Sequence, residues 1–229
     1  MLVSGKSWLI RIPTSWLCVD YRAELVSLDQ LLQREDIEQG DRLRLGVELA
    51  SSLMHLHTTR WLDESWGKCD ILFPQKASRK RRMSGEEIMI LEADLKKPVV
   101  RSFRPQSHSR QQSEATARVP ISYDKNLFSL GVVLIELWFG KRLQDLSEPQ
   151  DTVVKDNPDF TNWITALRLV PIIEEEAGEM YGGAVRRCIQ GMDSAVRTLE
   201  NDDFKSKFAT EVVSELERNC EAYTASLDG

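Results

Sequence analysis

The sequence lacks several features by which common classes of protein are recognised. It has only four cysteines among 229 residues and no C-x-x-C pair, which argues against zinc-ribbon and thioredoxin-like sites. Cysteines this sparse are typical of free, buried thiols in a reducing compartment rather than of a disulfide framework. No run of about 18 apolar residues occurs, so no membrane-spanning helix is predicted. With 12 glycines and 8 prolines, the chain has few breaks, and we expect a single domain.

An excess of basic charge is also absent. Thirty lysines and arginines stand against 36 aspartates and glutamates, for a net charge of −6. This balance argues against a nucleic-acid-binding or membrane-surface protein. Arg11 interrupts the apolar stretch near the start, so no secretory signal is predicted, and we expect a cytoplasmic protein.

The charge is unevenly distributed along the chain. Residues 74–118 hold 11 lysines and arginines against 5 aspartates and glutamates, a net charge of +6, which leaves −12 on the remainder. Within this segment, residues 102–118 have almost no apolar side chains to bury, and we expect them to be mobile. We therefore predict a basic, partly disordered insertion over 74–118 within one domain of residues 1–229.

Hydrophobic periodicity predicts a mainly α-helical fold with a few short strands near the N-terminus. The most apolar helix covers residues 123–140, and because it is apolar on nearly every side we expect it at the centre of the core. Ser27 and Gln30 form a capping-box pattern that predicts the start of a short helix. The other predicted elements are strands within 7–19, at 71–73 and at 87–95, and helices over 41–57, 159–170, 179–199 and 203–223.

Two motifs stand out in this pattern. Residues 44–57 read R-L-G-V-E-L-A-S-S-L-M-H-L-H and lead to D-I-L-F at 70–73, and residues 126–143 read N-L-F-S-L-G-V-V-L-I-E-L-W-F-G-K-R-L. Together they resemble the large, helical lobe of protein kinases, in which a helix ending in leucine-histidine precedes the catalytic loop and a buried helix follows later. The resemblance implies that residues 1–26 hold only remnant strands and the hinge of the small lobe.

Three stretches carry a second, narrower resemblance. They read L-H-T-T-R-W-L at 56–62, W-G-K-C-D-I-L-F at 66–73 and L-F-S-L-G-V-V-L-I-E-L-W-F-G at 127–140. These are similar to the hallmarks of a fungal kinase-like domain that accompanies N-terminal prion-inhibition domains of the HeLo type. This resemblance implies a role in fungal signalling or in incompatibility-type responses.

The resemblance to kinases also implies a phosphoryl-transfer site, and the sequence lacks most of its parts. No G-x-G-x-x-G loop, V-A-I-K lysine or H-R-D catalytic loop occurs. With Asp70 at the end of that loop, Ser65 stands where the catalytic base is expected, and Asp63 and Glu64 are the carboxylates nearby. Asp94 is the candidate for the metal-binding aspartate, and together with Asp70 it could hold Mg²⁺.

We therefore predict a non-catalytic, kinase-like interaction or regulatory module. It is expected to have protein partners and no catalytic residues, ATP, cofactor or metal. Two alternatives remain open. An atypical phosphotransferase would use Asp63 or Glu64 together with Asp70 and Asp94. A fragment of a larger protein would leave the activity to a missing N-terminal domain.

The basic run Arg79-Lys80-Arg81-Arg82 is the main regulatory candidate. We interpret it as a solvated loop tip, and a nuclear address or a patch for an acidic partner is the other interpretation. Ser84 follows in an R-R-M-S sequence that resembles a substrate of basic-directed kinases. A phosphate on Ser84 would add about −1.5 to −2 charges beside four cations.

Overall fold

The computed structural model describes residues 7–11, 24–34, 37–56, 66–81, 87–103, 124–152, 157–192 and 199–227. Helices account for most of these residues, so the predicted mainly α-helical fold is confirmed. The helices are α1 (Leu28–Arg34), α2 (Gln39–Leu56), α3 (Lys125–Phe139), α4 (Pro158–Gln190), α5 (Asp202–Phe208) and α6 (Ser214–Leu227), with 3₁₀ turns at Leu143–Asp145 and Pro149–Asp151 and a π-helical turn at Ala209–Val213.

A small antiparallel sheet accompanies the helices. Its strands are β1 (Ser7–Arg11), β2 (Leu25–Ser27), β3 (Ile71–Arg81), β4 (Glu87–Ala93) and β5 (Val99–Phe103). The strand order is β1-β5-β3-β2, and β4 pairs with the outer part of β3. The predicted strands near the N-terminus and at 87–95 are confirmed, whereas residues 12–23 lie outside the described part of the chain.

Strand β3 is longer than predicted. It continues from Ile71 to Arg81 instead of ending at Phe73, so the loop-tip interpretation is wrong for residues 79–81. The apolar strand β4 needs a neighbouring strand for its backbone hydrogen bonds, and the basic part of β3 is that strand. Lysine and arginine are tolerated on edge strands. Residues 75–81 and 87–93 pair throughout, and we call them the β3–β4 ribbon. Most of the segment predicted to be mobile, residues 104–118, lies outside the described residues.

Helix α3 lies at the centre of the core, as its apolar surface predicts. Leu130, Leu134 and Leu137 are fully buried. Helix α4 packs so closely against it that a Cβ at Gly131 would lie 2.6 Å from Cδ1 of Ile189. The close contact between the two helices therefore requires a residue without a side chain at this position.

The capping box predicted from Ser27 and Gln30 is present at the start of α1, and α3 has a capping residue at each end. The N–H of Ser27 donates to Oε1 of Gln30 at 3.0 Å, and the N–H of Gln30 donates to Oγ of Ser27 at 3.2 Å, which confirms the capping box. Asp124 caps α3 by accepting from two backbone N–H groups. Gly140 ends α3 in the left-handed conformation, with φ of 64°, where glycine carries no steric cost.

Helix α4 consists of two helical segments that meet at a kink at Gly178, where φ is 74° and ψ is −179°. That conformation is almost confined to glycine. The second segment begins at residue 179, as predicted, whereas the first continues through Pro171 instead of ending at residue 170. The acidic residues 174–176 lie inside α4 and precede the kink.

Candidate functional site

A turn of residues 66–70 precedes β3, where the resemblance implies the end of a catalytic loop. Asp70 closes this turn, because its N–H donates to the carbonyl oxygen of Gly67 at 2.9 Å and its Oδ2 accepts from the N–H of Gly67 at 3.2 Å. On the neighbouring strand β5, the N–H of Arg101 donates to the carbonyl oxygen of Asp70 at 2.7 Å. The residue across the sheet from Asp70 is therefore Arg101.

Asp94 lies at a different position on the sheet. Its N–H donates to the carbonyl oxygen of Pro74 at 2.8 Å, four positions along β3 from Asp70, or about 13 Å at the usual strand rise. Its Oδ2 lies 2.8 Å from Nζ of Lys76 and 3.7 Å from Nζ of Lys97. Burial tends to raise the pKa of Asp94, but the hydrogen bond to Lys76 and the two positive charges lower it overall. The structure does not bring Asp70 and Asp94 together for a shared Mg²⁺.

A cleft of about 460 Å³ lies between the 66–70 turn, α3, the 3₁₀ turn after α3 and the start of α4. One wall is apolar and is formed by Phe128, Val132, Val133 and Leu143. Ser129, which the sequence placed in the interior of a helix, is half-buried and lies on the wall of this cleft. The volume falls within the range of about 300–1,000 Å³ that is typical of small-molecule sites.

A buried ion pair lies at the base of this cleft. Nζ of Lys68 donates to Oε1 of Glu136 and, at 2.8 Å, to Oε1 of Gln144. The same oxygen of Glu136 accepts from the N–H of Leu143 at 2.8 Å. Burial raises the pKa of Glu136, although Lys68 and the N–H of Leu143 act to lower it. The pair joins the 66–70 turn to α3 and to the 3₁₀ turn.

Two of the residues that line the cleft each have a buried polar atom with no hydrogen-bond partner among the described residues. These atoms are Oε2 of Glu136 and Nε1 of Trp66. Glu136 is 0 % exposed and Trp66 is 5 % exposed. Because buried polar groups in proteins are nearly always hydrogen-bonded, these two atoms require an explanation.

The family of the chain follows from a match over most of its length. A family model described as Domain of unknown function (DUF7580) matches residues 16–223. The chain belongs to this family. The DUF7580 match includes helices α1 to α5, strands β2 to β5 and every residue of the cleft. No curated protein matches the chain significantly.

Several predicted site residues of the DUF7580 domain lie outside the described residues. They are Asp63, Glu64, Ser65, Arg82 and Ser84. The backbone of residues 79–81 belongs to β3. In the part of the chain that the structure describes, no group of three or more histidines, cysteines, aspartates or glutamates is arranged to hold a metal ion. No helix in the same ranges is long and apolar enough to cross a membrane.

Sequence patterns did not identify Trp66, Lys68 and Glu136 as site residues. The available signal was a glutamate inside a helix that is apolar nearly all round, because a buried carboxylate needs a partner. That partner, Lys68, is 68 positions away in the chain, and no local pattern connects the two residues. The pairing therefore becomes visible only in the folded structure.

Proposed function

We propose that this DUF7580 domain is a non-catalytic, kinase-like module that binds a protein partner and does not transfer phosphate. The separation of Asp70 from Asp94 carries the proposal. Mg²⁺ binds its oxygen ligands at about 2.0–2.1 Å, and two positions about 13 Å apart along a strand cannot share one ion. Phosphoryl transfer depends on such an ion to bridge the phosphates and neutralise their charge.

The contacts of these residues support a structural role for both. The carboxylate of Asp94 is engaged by Lys76 and Lys97, which fixes the base of the β3–β4 ribbon. Arg101, a cationic residue, stands across from Asp70 on β5, whereas Mg²⁺ binds oxygen ligands. Both features favour a domain that has a kinase-like fold but does not transfer phosphate.

The β3–β4 ribbon is the surface through which we expect the partner to bind. Pairing of β2 with β3 ends at Pro74, and from Gln75 onwards β3 pairs only with β4 among the described strands. The side chain of Lys76 is 66 % exposed, and residues 79–81 of the ribbon are three more cationic residues. An acidic protein segment is the complementary partner. By the resemblance, the proposed setting is fungal signalling or an incompatibility-type response.

Thermal unfolding with and without millimolar Mg²⁺-ATP tests the non-catalytic part of the proposal. A ligand at about 100 times its Kd adds roughly 2.7 kcal/mol, which is roughly 5–10 °C in Tm for a chain of this size. We expect no shift, in the native chain or in the variants Asp70→Ala and Asp94→Ala. A Mg²⁺-dependent shift that either variant abolishes would instead support the phosphotransferase alternative.

Fluorescence anisotropy with a labelled, glutamate-rich peptide tests the ribbon. We expect the double variant Arg79→Glu/Lys80→Glu to bind the peptide at least about tenfold more weakly. The matched control, Lys141→Glu/Arg218→Glu, changes the net charge equally at exposed positions off the ribbon and is expected to bind within about twofold of the native chain. Equal weakening in both variants would assign the effect to net charge and contradict the ribbon as the binding surface.

A further inference from the structure

We propose that the acidic segment of the partner binds as an added β-strand along one edge of β3. The surface is the β3–β4 ribbon of the proposed function, on which this inference rests, and the new element is the strand conformation of the partner. The direction of the backbone N–H and C=O groups of β3 beyond the end of β2 carries the inference.

These backbone groups alternate between the two sides of β3. In an antiparallel pair, every second residue exchanges hydrogen bonds with the partner strand, and the residues between them direct their groups to the opposite side. The carbonyl oxygen of Pro74 accepts from the N–H of Asp94 at 2.8 Å, on the β4 side. The N–H of Gln75 donates to the carbonyl oxygen of Glu24 at 2.8 Å, on the β2 side.

Residues Ala77, Arg79 and Arg81 form what we call the open edge of β3. The register between β3 and β4 is continuous over 75–81, so the N–H and C=O groups of these three residues point to the same side as those of Gln75. Pairing on that side ends at Gln75, and no other described strand pairs with β3 there. Ala77 is exposed. The open edge therefore offers three residues over about 13 Å, each able to exchange two hydrogen bonds with an added antiparallel strand.

Charge distinguishes the open edge from the other edge of the ribbon. Residues 75–81 of β3 include four lysines and arginines and no acidic residue, whereas residues 87–93 of β4 include two glutamates and no cationic residue. Opposite charges on neighbouring strands stabilise their pairing, and like charges oppose it. An acidic strand is therefore attracted to the open edge of β3 and repelled from the outer edge of β4.

The same charges select the occupant. Two copies of the ribbon would bring cationic strands together at their open edges, and lysine and arginine on an edge strand oppose such self-pairing. An extended acidic segment has no such conflict. Extended peptides bind the edges of sheets through main-chain hydrogen bonds, and their alternate side chains determine the specificity. A segment in which acidic residues alternate with β-branched residues fits best, because β-branched residues favour strands.

Fluorescence anisotropy with the full chain and a labelled octapeptide of alternating glutamate and valine tests the strand mode. Ala77→Pro removes an N–H of the open edge but no hydrogen bond to β4, since proline is tolerated where its N–H would face outwards. We expect this variant to bind the octapeptide at least about tenfold more weakly. Ala93→Pro is the matched control. Ala93 stands opposite Gln75, so its N–H points away from β3, and binding is expected within about twofold of the native chain.

Backbone N-methylation of the octapeptide tests the same point with the native chain, and stays decisive if a proline variant fails to fold. Methylation of every backbone nitrogen leaves the charge unchanged and removes all main-chain donors, so we expect binding to weaken at least about tenfold. Methylation of alternate nitrogens leaves one edge of the peptide intact. One of the two alternate patterns is therefore expected to bind within about threefold of the unmethylated octapeptide.

The outcomes separate strand addition from the proposed function. Weakening by Arg79→Glu/Lys80→Glu, but by neither Ala77→Pro nor full methylation, would overturn strand addition and leave a ribbon that binds acidic segments through charge alone. Equal weakening by Ala77→Pro and Ala93→Pro in folded variants would overturn the open edge of β3 as the site. No saturable binding of the octapeptide up to millimolar concentration would contradict both strand addition and the ribbon as a surface for acidic segments.

Discussion

Arg168 holds the carboxylate of Asp151 through three hydrogen bonds, from Nε to Oδ1 at 3.0 Å and to Oδ2 at 3.2 Å, and from Nη2 to Oδ2 at 2.9 Å. Asp151 is 1 % exposed and also accepts from Oγ1 of Thr165 at 3.1 Å and from the N–H of Glu148 at 2.9 Å. Nη2 of Arg168 donates in addition to the carbonyl oxygen of Leu146 at 2.7 Å. The network fastens the segment between α3 and α4, whose first turn lines the cleft, onto α4.

The Asp151 network should be among the larger single contributions to stability. We expect Asp151→Ala to lower the free energy of unfolding by about 3 kcal/mol, because it leaves the Arg168 guanidinium partly buried without its main partner. Urea unfolding measures the change. The control is Asp145→Ala, which removes a solvent-exposed pair with Arg142 and should change stability little. A similar loss of stability in both variants would mean that the burial of Asp151 does not add to the free energy of unfolding.

The same residue predicts how stability depends on pH. Hydrogen bonds from Arg168 lower the pKa of Asp151, against the opposing effect of burial. In the unfolded chain an aspartate titrates near pH 3.9, so the unfolded state takes up the proton first. The contribution of Asp151 is therefore fully present above about pH 4 and is lost as the pH falls through the lower folded-state pKa.

Urea unfolding at a series of pH values between about 2 and 6 tests this dependence. Asp151→Asn is expected to flatten the decline in stability below about pH 4, since the amide does not titrate. Glu136 affects the pH dependence of stability in the opposite direction. Burial raises its pKa, so its contribution to the free energy of unfolding declines as the pH rises above about 4.3. An unchanged acid slope in Asp151→Asn would assign the slope to other carboxylates.

The ion pair of Lys68 and Glu136 should show strong coupling. Each of Lys68→Met and Glu136→Leu leaves one charge buried without its partner, and we expect each to cost about 3 kcal/mol or more. The double variant removes both charges and should cost less than either single change. A double-mutant cycle by urea unfolding measures the coupling. Simply additive losses would show that the two side chains do not depend on each other.

Contact between α3 and α4 at Gly131 should tolerate no added methyl group. Gly131→Ala is expected to cost about 1–3 kcal/mol by overpacking, because the new Cβ would meet Cδ1 of Ile189. Ile189→Val removes that methyl group and should recover part of the loss in the double variant. Gly67→Ala is the control, since nothing lies within 4 Å of its Cβ position. Failure of Ile189→Val to rescue Gly131→Ala would contradict this account.

Local sequence patterns predicted the helices and caps that depend on residues close together in the chain. The apolar surface of α3 and the Ser27–Gln30 capping box both depend on residues that are near one another in the chain. Pairing of β3 with β4 was not predicted, because basic residues have little intrinsic preference for strands and the partner determines the structure. The Ser84-Gly85 dipeptide between a polar and an apolar run is the one local signal that favours a turn there.

The candidate site depended on distant pairings, and the sequence predicted less of it. The register between β3 and β5 places Arg101, rather than Asp94, across from Asp70. The register of two paired strands cannot be predicted from the sequence of one strand alone. Likewise, Glu136 was recognisable as a charged residue in an apolar helix, but its partner Lys68 comes from a turn before another element.

The inner and outer parts of strand β3 have different surroundings. Its inner residues 71–73 are buried in the sheet, whereas its outer residues pair only with β4 in the described part of the chain. A two-stranded ribbon is marginally stable in water, so its backbone amides should exchange with deuterium through local opening while the inner sheet stays closed. A change in the backbone conformation of the ribbon therefore costs only the free energy of that local opening. The ribbon can change its conformation while the helices and the cleft keep theirs.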